Sequence, residues 1–313
     1  MEHRPYPKIA SVADPSLHSP GGIWVAMEKV HGAQLVVGCD GAQVRIGKRK
    51  AWLEDDEPFF GWQLLRSRLQ ESALAMHRDL GAPRVIRLFG ELFGGAYPHP
   101  DVAQLPGLSA VQTGIWYAPN LHFALFDVVV EVDDGPGEFL SHREVETLAH
   151  AHGLLTVPLV GRGPRATLST LPVRAPTRMP ALLGLPPIAD NIAEGLVLKP
   201  DARLPVEKRF VLKKKIAEFD DARFDEALPF QANAMLTVEE FAAHAKHLVN
   251  DARIASARSK VGTDADALRA EVVLDVLIDL DATFPLAYAA LDAEKEDALR
   301  SRVDALALSR IAK

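Results

Sequence analysis

At 313 residues, 48% hydrophobic and 25% charged, the chain has the make-up of a globular protein long enough for two domains. A net charge of −7 excludes a protein that coats nucleic acid by bulk charge, and no apolar run reaches the ~18 residues of a membrane helix. One cysteine, Cys39, excludes an internal disulfide; with an N-terminus that lacks a secretory layout, it points to the cytoplasm.

In chain order, residues 23–28, 34–39 and 43–46 read as a β-meander, with Asp40-Gly41 supplying a turn. Leu64, Leu65, Leu69 and Leu74 recur at helical spacing over about residues 61–80, and Gly81 is a natural stop. Residues 85–89 and 123–132 are apolar and β-branched, which predicts buried strands. Residues 161–193 are rich in Pro, Arg and Gly and predict a long surface excursion; 195–198 and 209–214 return to strand patterning. Thr237 to Glu240 forms a capping box for a helix to about residue 249; Thr263 is expected to open another and a last helix to cover about 286–311. The expectation is an α+β chain. A mostly antiparallel β domain over residues 1–218 is followed by a linker at 219–234 and a small all-helical domain at 235–313.

The stretch Glu28-Lys29-Val30-His31-Gly32 carries the chemistry. A lysine leaves a strand and meets a glycine three positions on, so an amine faces a cleft and the backbone at Gly32 is expected to approach a nucleotide closely. A nucleophilic lysine must be neutral when it attacks, and nearby positive charge favours that state. Arg49, Lys213 and Lys215 are candidates for that charge, and strand alternation puts Lys213 and Lys215 on one face, as a phosphate clamp needs. Glu91 and Glu194, each beside a glycine, suit a hydrated cation or ribose hydroxyls. Phe126 suits stacking on a base. Read singly, each has a bland alternative: a solvated strand end, a surface carboxylate, a packed core ring, a satisfied histidine at His31. His99 and His122 read as structural.

Together these residues resemble a known family. Residues 24–32 look like the nucleotidyltransferase motif of the phage-type RNA ligase 2 branch, which includes the RNA-editing ligases. Five further signatures follow in the family's order: Gly47-Lys48-Arg49 with Phe59-Phe60-Gly61; residues 89–95; His122 to Asp127; Ala193 to Pro200; and Val211 to Lys215. The resemblance implies an ATP-grasp-like nucleotidyltransferase fold and ATP with Mg²⁺ or Mn²⁺. It also implies transfer of AMP through Lys29 to RNA 5′-phosphate ends, which a 3′-hydroxyl then seals on duplex or bridged RNA. By the same resemblance Lys29, Lys213, Lys215 and His31 are catalytic. Glu28 and Val30 read the adenine edge by their backbone, Phe126 stacks on it, and Glu91 binds ribose. Gly32, Gln34, Lys48 and Arg49 line the nucleotide, and Glu194 and Asp127 serve the metal. Two positions depart: Ala33-Gln34 stands where the family has Thr-Asn, and Met27 stands where phage members have a basic residue. Gln112 and Tyr6 match positions linked to sealing. Three alternatives stay open: an ATP-dependent DNA ligase, an RNA-capping nucleotidyltransferase, and a nucleotide-binding module that has lost its chemistry.

Overall fold

The computed structural model describes residues 1–7, 9–11, 22–216, 219 and 236–312. Its strands are β1 (Ala10–Ser11), β2 (Ile23–Glu28), β3 (Ala33–Cys39), β4 (Val44–Lys48), β5 (Ala51–Trp52), β6 (Val85–Ala96), β7 (Ala118–Glu131), β8 (Glu138–Phe139), β9 (Leu155–Thr156), β10 (Leu159–Pro164), β11 (Gly195–Pro200), β12 (Leu204–Pro205) and β13 (Leu212–Lys215). The helices are α1 (Arg66–Asp79), α2 (His142–Ala151), α3 (Arg165–Ser169), α4 (Met179–Leu182), α5 (Val238–Leu248), α6 (Asp251–Val261), α7 (Ala265–Thr283), α8 (Pro285–Ala289) and α9 (Ala293–Ile311). The α+β expectation stands: two largely antiparallel sheets, then helices.

The first sheet has the order β1-β13-β11-β2-β10 and the second β12-β8-β7-β6-β3-β4-β5. The expected meander is therefore corrected. β3 and β4 pair as a hairpin, but β2 belongs to the other sheet, so residues 29–32 cross between sheets. Both faces of β2 are buried, which hides the difference from any reading of periodicity. Val25 and Met27 face one core cluster with Val30, Phe93 and Tyr117; Trp24 and Ala26 face another with Leu196 and Leu198. Asp40 does make the turn, its carboxylate accepting from the backbone of Ala42 and Gln43.

β6 and β7 run well beyond the apolar runs that announced them, because Gly90 and Gly94 let the two backbones pass closely. A Cβ at either position would overlap chain atoms of β7. The excursion at 161–193 is partly regular: β10 pairs with β2, and α3 and α4 follow. Two helices lie outside the expectation. α2 opens on a capping box of Ser141 and Glu144, and α6 on the side chain of Asn250. α7 is capped by Asp264, not Thr263, and the last expected helix divides into α8 and α9.

The contacts group the chain into two compact units: residues 1–53, 72–102 and 110–227, and residues 54–71, 103–109 and 228–313. This differs from a single cut near residue 218; the expected linker at 219–234 lies outside the described residues apart from Phe219. In the helical unit Phe241, Val272, Val276, Leu280, Phe284, Leu299 and Val303 form the core, and Leu64 and Leu108 pack against it from far upstream in sequence. Among the described residues no helix is long and apolar enough to cross a membrane.

Candidate active site

The crossing at residues 29–32 is stapled on every side. The amide of Lys29 donates to the Gly195 carbonyl (2.9 Å), and the amide of His31 donates to the Tyr117 hydroxyl (2.8 Å). Gly32 donates to the Glu91 carboxyl. A Cβ on Gly32 would overlap the Leu92 carbonyl oxygen and lie 2.9 Å from Glu91 Cγ. The closeness of β6 thus requires the glycine by itself, beside the approach to a nucleotide expected of it. Gly32→Ala is expected to cost about 1–3 kcal/mol by overpacking, read as a lower denaturant midpoint, and to displace the lysine beside it. Val30 contributes its side chain to the core.

Glu194, just before β11 and 2% exposed, is the hub. Lys29 Nζ lies 2.7 Å from its Oε2, His31 Nδ1 3.3 Å from the same oxygen, and Lys215 Nζ 2.8 Å from Oε1. Burial alone would raise the carboxyl, but the His31 hydrogen bond, the Lys29 charge and the Lys215 hydrogen bond outweigh it and hold it at about 2. Lys213 shares a face with Lys215 by alternation along β13. Its amine is pulled below the ordinary lysine range by burial and by the charges of Lys215 and Lys29. Lys214 points the other way and donates to the Ser169 carbonyl (2.7 Å), tying down the end of α3. Four of the expected residues therefore converge: Lys29, His31, Lys215 and Glu194.

The opposing wall comes from β3, β4, β6 and β7. Gln34 and Glu91 are direct partners in the β3–β6 ladder. Burial, with the nearby Glu194 charge, pushes Glu91 up to about 7 against the opposing pull of Lys29. The Gln34 Nε2 is buried with no hydrogen-bond partner among the described residues, a donor available to a ligand. Arg49 is exposed in the turn after β4, and its charge is felt at both Glu91 and Lys213. Lys48 ends β4, its carbonyl 3.0 Å from His3 Nε2. The β6–β7 register slips between Phe89–Asp127 and Gly90–Leu125, leaving Phe126 unpaired in a bulge. Its half-buried ring meets Tyr6 edge-on at 5.2 Å.

Asp127 is corrected. It is fully buried and holds Lys199 Nζ (2.7 Å), Arg209 Nη2 (2.6 Å) and the Tyr6 hydroxyl (2.6 Å). Burial would raise its carboxyl, but Arg209 and Lys199 hold it below the usual carboxylate range. Neutralised by Lys199 and Arg209 inside the core, this carboxylate has a structural use in place of the expected metal role. Lys199 also donates to the Phe126 carbonyl, so this ion cluster fixes the bulge that carries the aromatic ring. Tyr6 belongs to the same cluster. Glu28 likewise uses its side chain in a way the sequence does not announce. The buried carboxylate accepts from the Thr177 hydroxyl and, at 2.8 Å, from the amide of Arg178.

Among the described residues no group of three or more His, Cys, Asp or Glu could hold a metal ion. Glu194 fits a different arrangement, an ion that keeps most of its waters and leans on one carboxylate and on substrate phosphates. Tyr117, Thr177 and Lys199 are the positioning groups that sequence reasoning missed. Nothing in a single sequence distinguishes their polar atoms from those of any other tyrosine, threonine or strand lysine.

A family model described as RNA ligase matches residues 22–215. This chain belongs to the RNA ligase family. Among curated relatives, RNA-editing ligase 2, mitochondrial, of Trypanosoma brucei brucei is 34% identical over 232 residues, 65% of this chain and 56% of the relative. RNA-editing ligase 1, mitochondrial, of the same organism is 33% identical over 218 residues, 59% of this chain and 46% of the relative. The ligase-family chain thus spans about half the length of the curated relatives it matches. Solved structures of a Naegleria gruberi RNA ligase, one with ATP and Mn and one with AMP and Mn, align with TM-scores of 0.41 and 0.42. Both are 16% identical and cover 63% of this chain and 50% of that chain.

Proposed function

We propose that this chain is an ATP-dependent RNA ligase that joins RNA 3′-hydroxyl and 5′-phosphate ends, on a nicked duplex, through lysyl-AMP and RNA-adenylate intermediates. The observation that carries the reading is the meeting of Lys29, His31 and Lys215 on one buried carboxylate, Glu194, with Lys213 on the same strand face.

In the first step Lys29 Nζ, having lost its proton, attacks the α-phosphorus of ATP; the N–P bond forms and the bond to pyrophosphate breaks. Lys213 and Lys215 neutralise the phosphate oxygens, an electrostatic role that needs charge fixed before the reaction. Phe126 supplies a π face for adenine, and Glu91, once ionised, accepts from the ribose hydroxyls. Glu194 is the residue for a hydrated Mg²⁺, which supplies further charge neutralisation when bound. In the second step an RNA 5′-phosphate oxygen takes the adenylyl phosphorus and Lys29 leaves. In the third a 3′-hydroxyl attacks the 5′-phosphorus and AMP departs. Holding the ends together makes each displacement effectively unimolecular.

The raised carboxyl of Glu91 gives the first step a pH signature. Below about 7 the group holds a proton in the free protein, and the neutral acid is a weaker acceptor for ribose hydroxyls than the carboxylate. Affinity for ATP is therefore expected to fall with acidity, by up to about tenfold per unit below that point. Glu91→Gln should flatten the profile in a titration followed by nucleotide fluorescence.

The test is incubation with α-labelled ATP or GTP and Mg²⁺ under denaturing analysis, followed by sealing of nicked RNA, nicked DNA and single-stranded ends. Label from ATP alone and sealing of nicked RNA support the proposal. Label from GTP points to capping, preference for nicked DNA to a DNA ligase, and neither label nor sealing to a binding module. Residence in the cytoplasm is part of the same proposal, in keeping with the free, buried thiol of Cys39.

A further inference from the structure

Glu194 and the crossing at residues 29–32 come from distant parts of the chain, and the gap between them has to be set. Lys29 and His31 reach Glu194 Oε2 directly, at 2.7 and 3.3 Å. Those contacts are made by side chains with rotatable stems, and they do not by themselves fix the backbone of the crossing. A second route joins the same two elements through neutral groups.

It starts at Asn191, which is buried three residues before Glu194. The side-chain oxygen of Asn191 accepts from the Trp116 amide (2.9 Å), and its nitrogen donates to the Trp116 carbonyl (2.6 Å). One side chain thus holds both backbone polar groups of Trp116. The Asn191 carbonyl is itself held, accepting from the Thr177 amide at 2.9 Å. Tyr117 follows directly. It is buried in one core cluster with Met27, Val30 and Ile115, and its ring meets Phe93 edge-on at 5.3 Å. From that base its hydroxyl accepts from the His31 amide at 2.8 Å. His31 Nδ1 then returns to Glu194. The contacts close a ring that runs from Glu194 through Asn191, Trp116, Tyr117 and His31 back to Glu194.

The surroundings explain why the acceptor is a phenol. Burial, with the charges of Glu28 and Glu194 and Glu91, holds the Tyr117 hydroxyl well above the ordinary tyrosine range, so it stays protonated. The His31 amide is satisfied by a neutral oxygen, where a fourth carboxylate would add to the repulsion among three already present. A phenylalanine would fill nearly the same core space and leave that amide without its acceptor.

We infer that Tyr117 is a positioning residue for adenylyl transfer: its hydroxyl, seated by Asn191, fixes the backbone at His31 and so sets Lys29 and His31 on Glu194. The inference rests on the ligase reading for the reaction it serves. Its effect is one of placement, and a shift of about 1 Å at a reacting group is enough to slow a step by about a hundredfold.

The experiment follows the rate of self-adenylylation against ATP concentration for the wild-type chain, Tyr117→Phe, Asn191→Asp and the double variant, with a thermal midpoint for each. Tyr117→Phe is expected to lower the maximal rate by about 10–100-fold and to leave the half-saturating ATP concentration within about twofold. Asn191→Asp should show the same split, since a carboxylate still accepts from the Trp116 amide but no longer donates to its carbonyl. The double variant should lose no more than the more damaging single one, because both act on one ring of contacts. Hydrogen exchange at the His31 amide should quicken in Tyr117→Phe. A wild-type maximal rate in folded Tyr117→Phe would overturn the inference and leave the ligase reading standing. So would a loss confined to the half-saturating concentration, or losses that add in the double variant. If Tyr117→Phe does not fold, the split in Asn191→Asp decides in the same way. A wild-type chain that takes no AMP from ATP overturns both.

Discussion

Lys29→Ala is expected to abolish the covalent label from ATP and with it all sealing that starts from ATP. In the proposed reaction this amine forms the bond to phosphorus, so no neighbouring group would make up for its loss, and removal of such a nucleophile costs on the order of 10³–10⁶ in rate. Lys215 and Lys213 stay in place in that variant and keep the phosphate clamp, so ATP should still bind. Moreover, Glu194 loses the ammonium 2.7 Å from Oε2 but retains Lys215 at 2.8 Å from Oε1. A variant that binds nucleotide and never labels is the expected pair of results, read by equilibrium binding and by intact mass. Pre-adenylylated RNA supplied from outside bypasses the missing step, and some sealing should return with it. Persistent labelling of the variant would assign the nucleophile to another residue.

The second large effect is on stability. Asp127→Ala is expected to cost about 3–5 kcal/mol, the usual penalty when one member of a buried ion cluster is removed and the others stay. Lys199 and Arg209, both fully buried, would be left with no carboxylate between them, and the Tyr6 hydroxyl would lose its acceptor. The Lys199 amine, lowered by burial to about 8 even with Asp127 present, would be driven further toward its neutral form. Denaturant unfolding measures the cost. Because Lys199 also holds the Phe126 carbonyl, surviving protein should show weakened adenine binding. Asp127→Asn should be milder, since an amide oxygen in the place of Oδ1 can still accept from both Lys199 and Arg209. The carboxylate of Asp127 lies below its ordinary range, so its contribution is present above the unfolded value near 4 and is lost as the pH falls through the folded one. An alanine variant as stable as the parent at neutral pH would refute the assignment of Asp127 to the core.

What the sequence disclosed, and what it withheld, follows from how far each determinant reaches along the chain. Glu28 to Gly32, Glu194-Gly195 and the lysine run of β13 are contiguous motifs, and three side chains from them do meet on Glu194. Asp127 looked like a metal residue because it sits in a motif, and only the packing of Lys199 and Arg209 from other strands shows otherwise. The jump of the chain from one sheet to the other at residues 29–32 has no periodic signature, since β2 and β3 are both buried on two faces. By contrast the capping box at Ser141 and Glu144 was open to view; a search led by apolar runs passes over it because α2 buries only His142, Val145 and Ala149. The Thr177–Glu28 contact spans 149 positions in sequence and is beyond any local rule.

The helical unit's dependence on Leu64 and Leu108 has a consequence for how the chain is made. Those two side chains leave the ribosome long before Phe241 and the α7 and α9 residues that cover them. At about 5–20 residues per second, the roughly 130 residues from Leu108 to Phe241 take about seven to twenty-seven seconds to make. During that interval the early segments are greasy and unburied, and closing them against the late helices is a slow, long-range step. Biogenesis, not catalysis, is then where this arrangement is most exposed. Slow synthesis lengthens that interval, so aggregation through segments 54–71 and 103–109 is expected to rise as elongation slows.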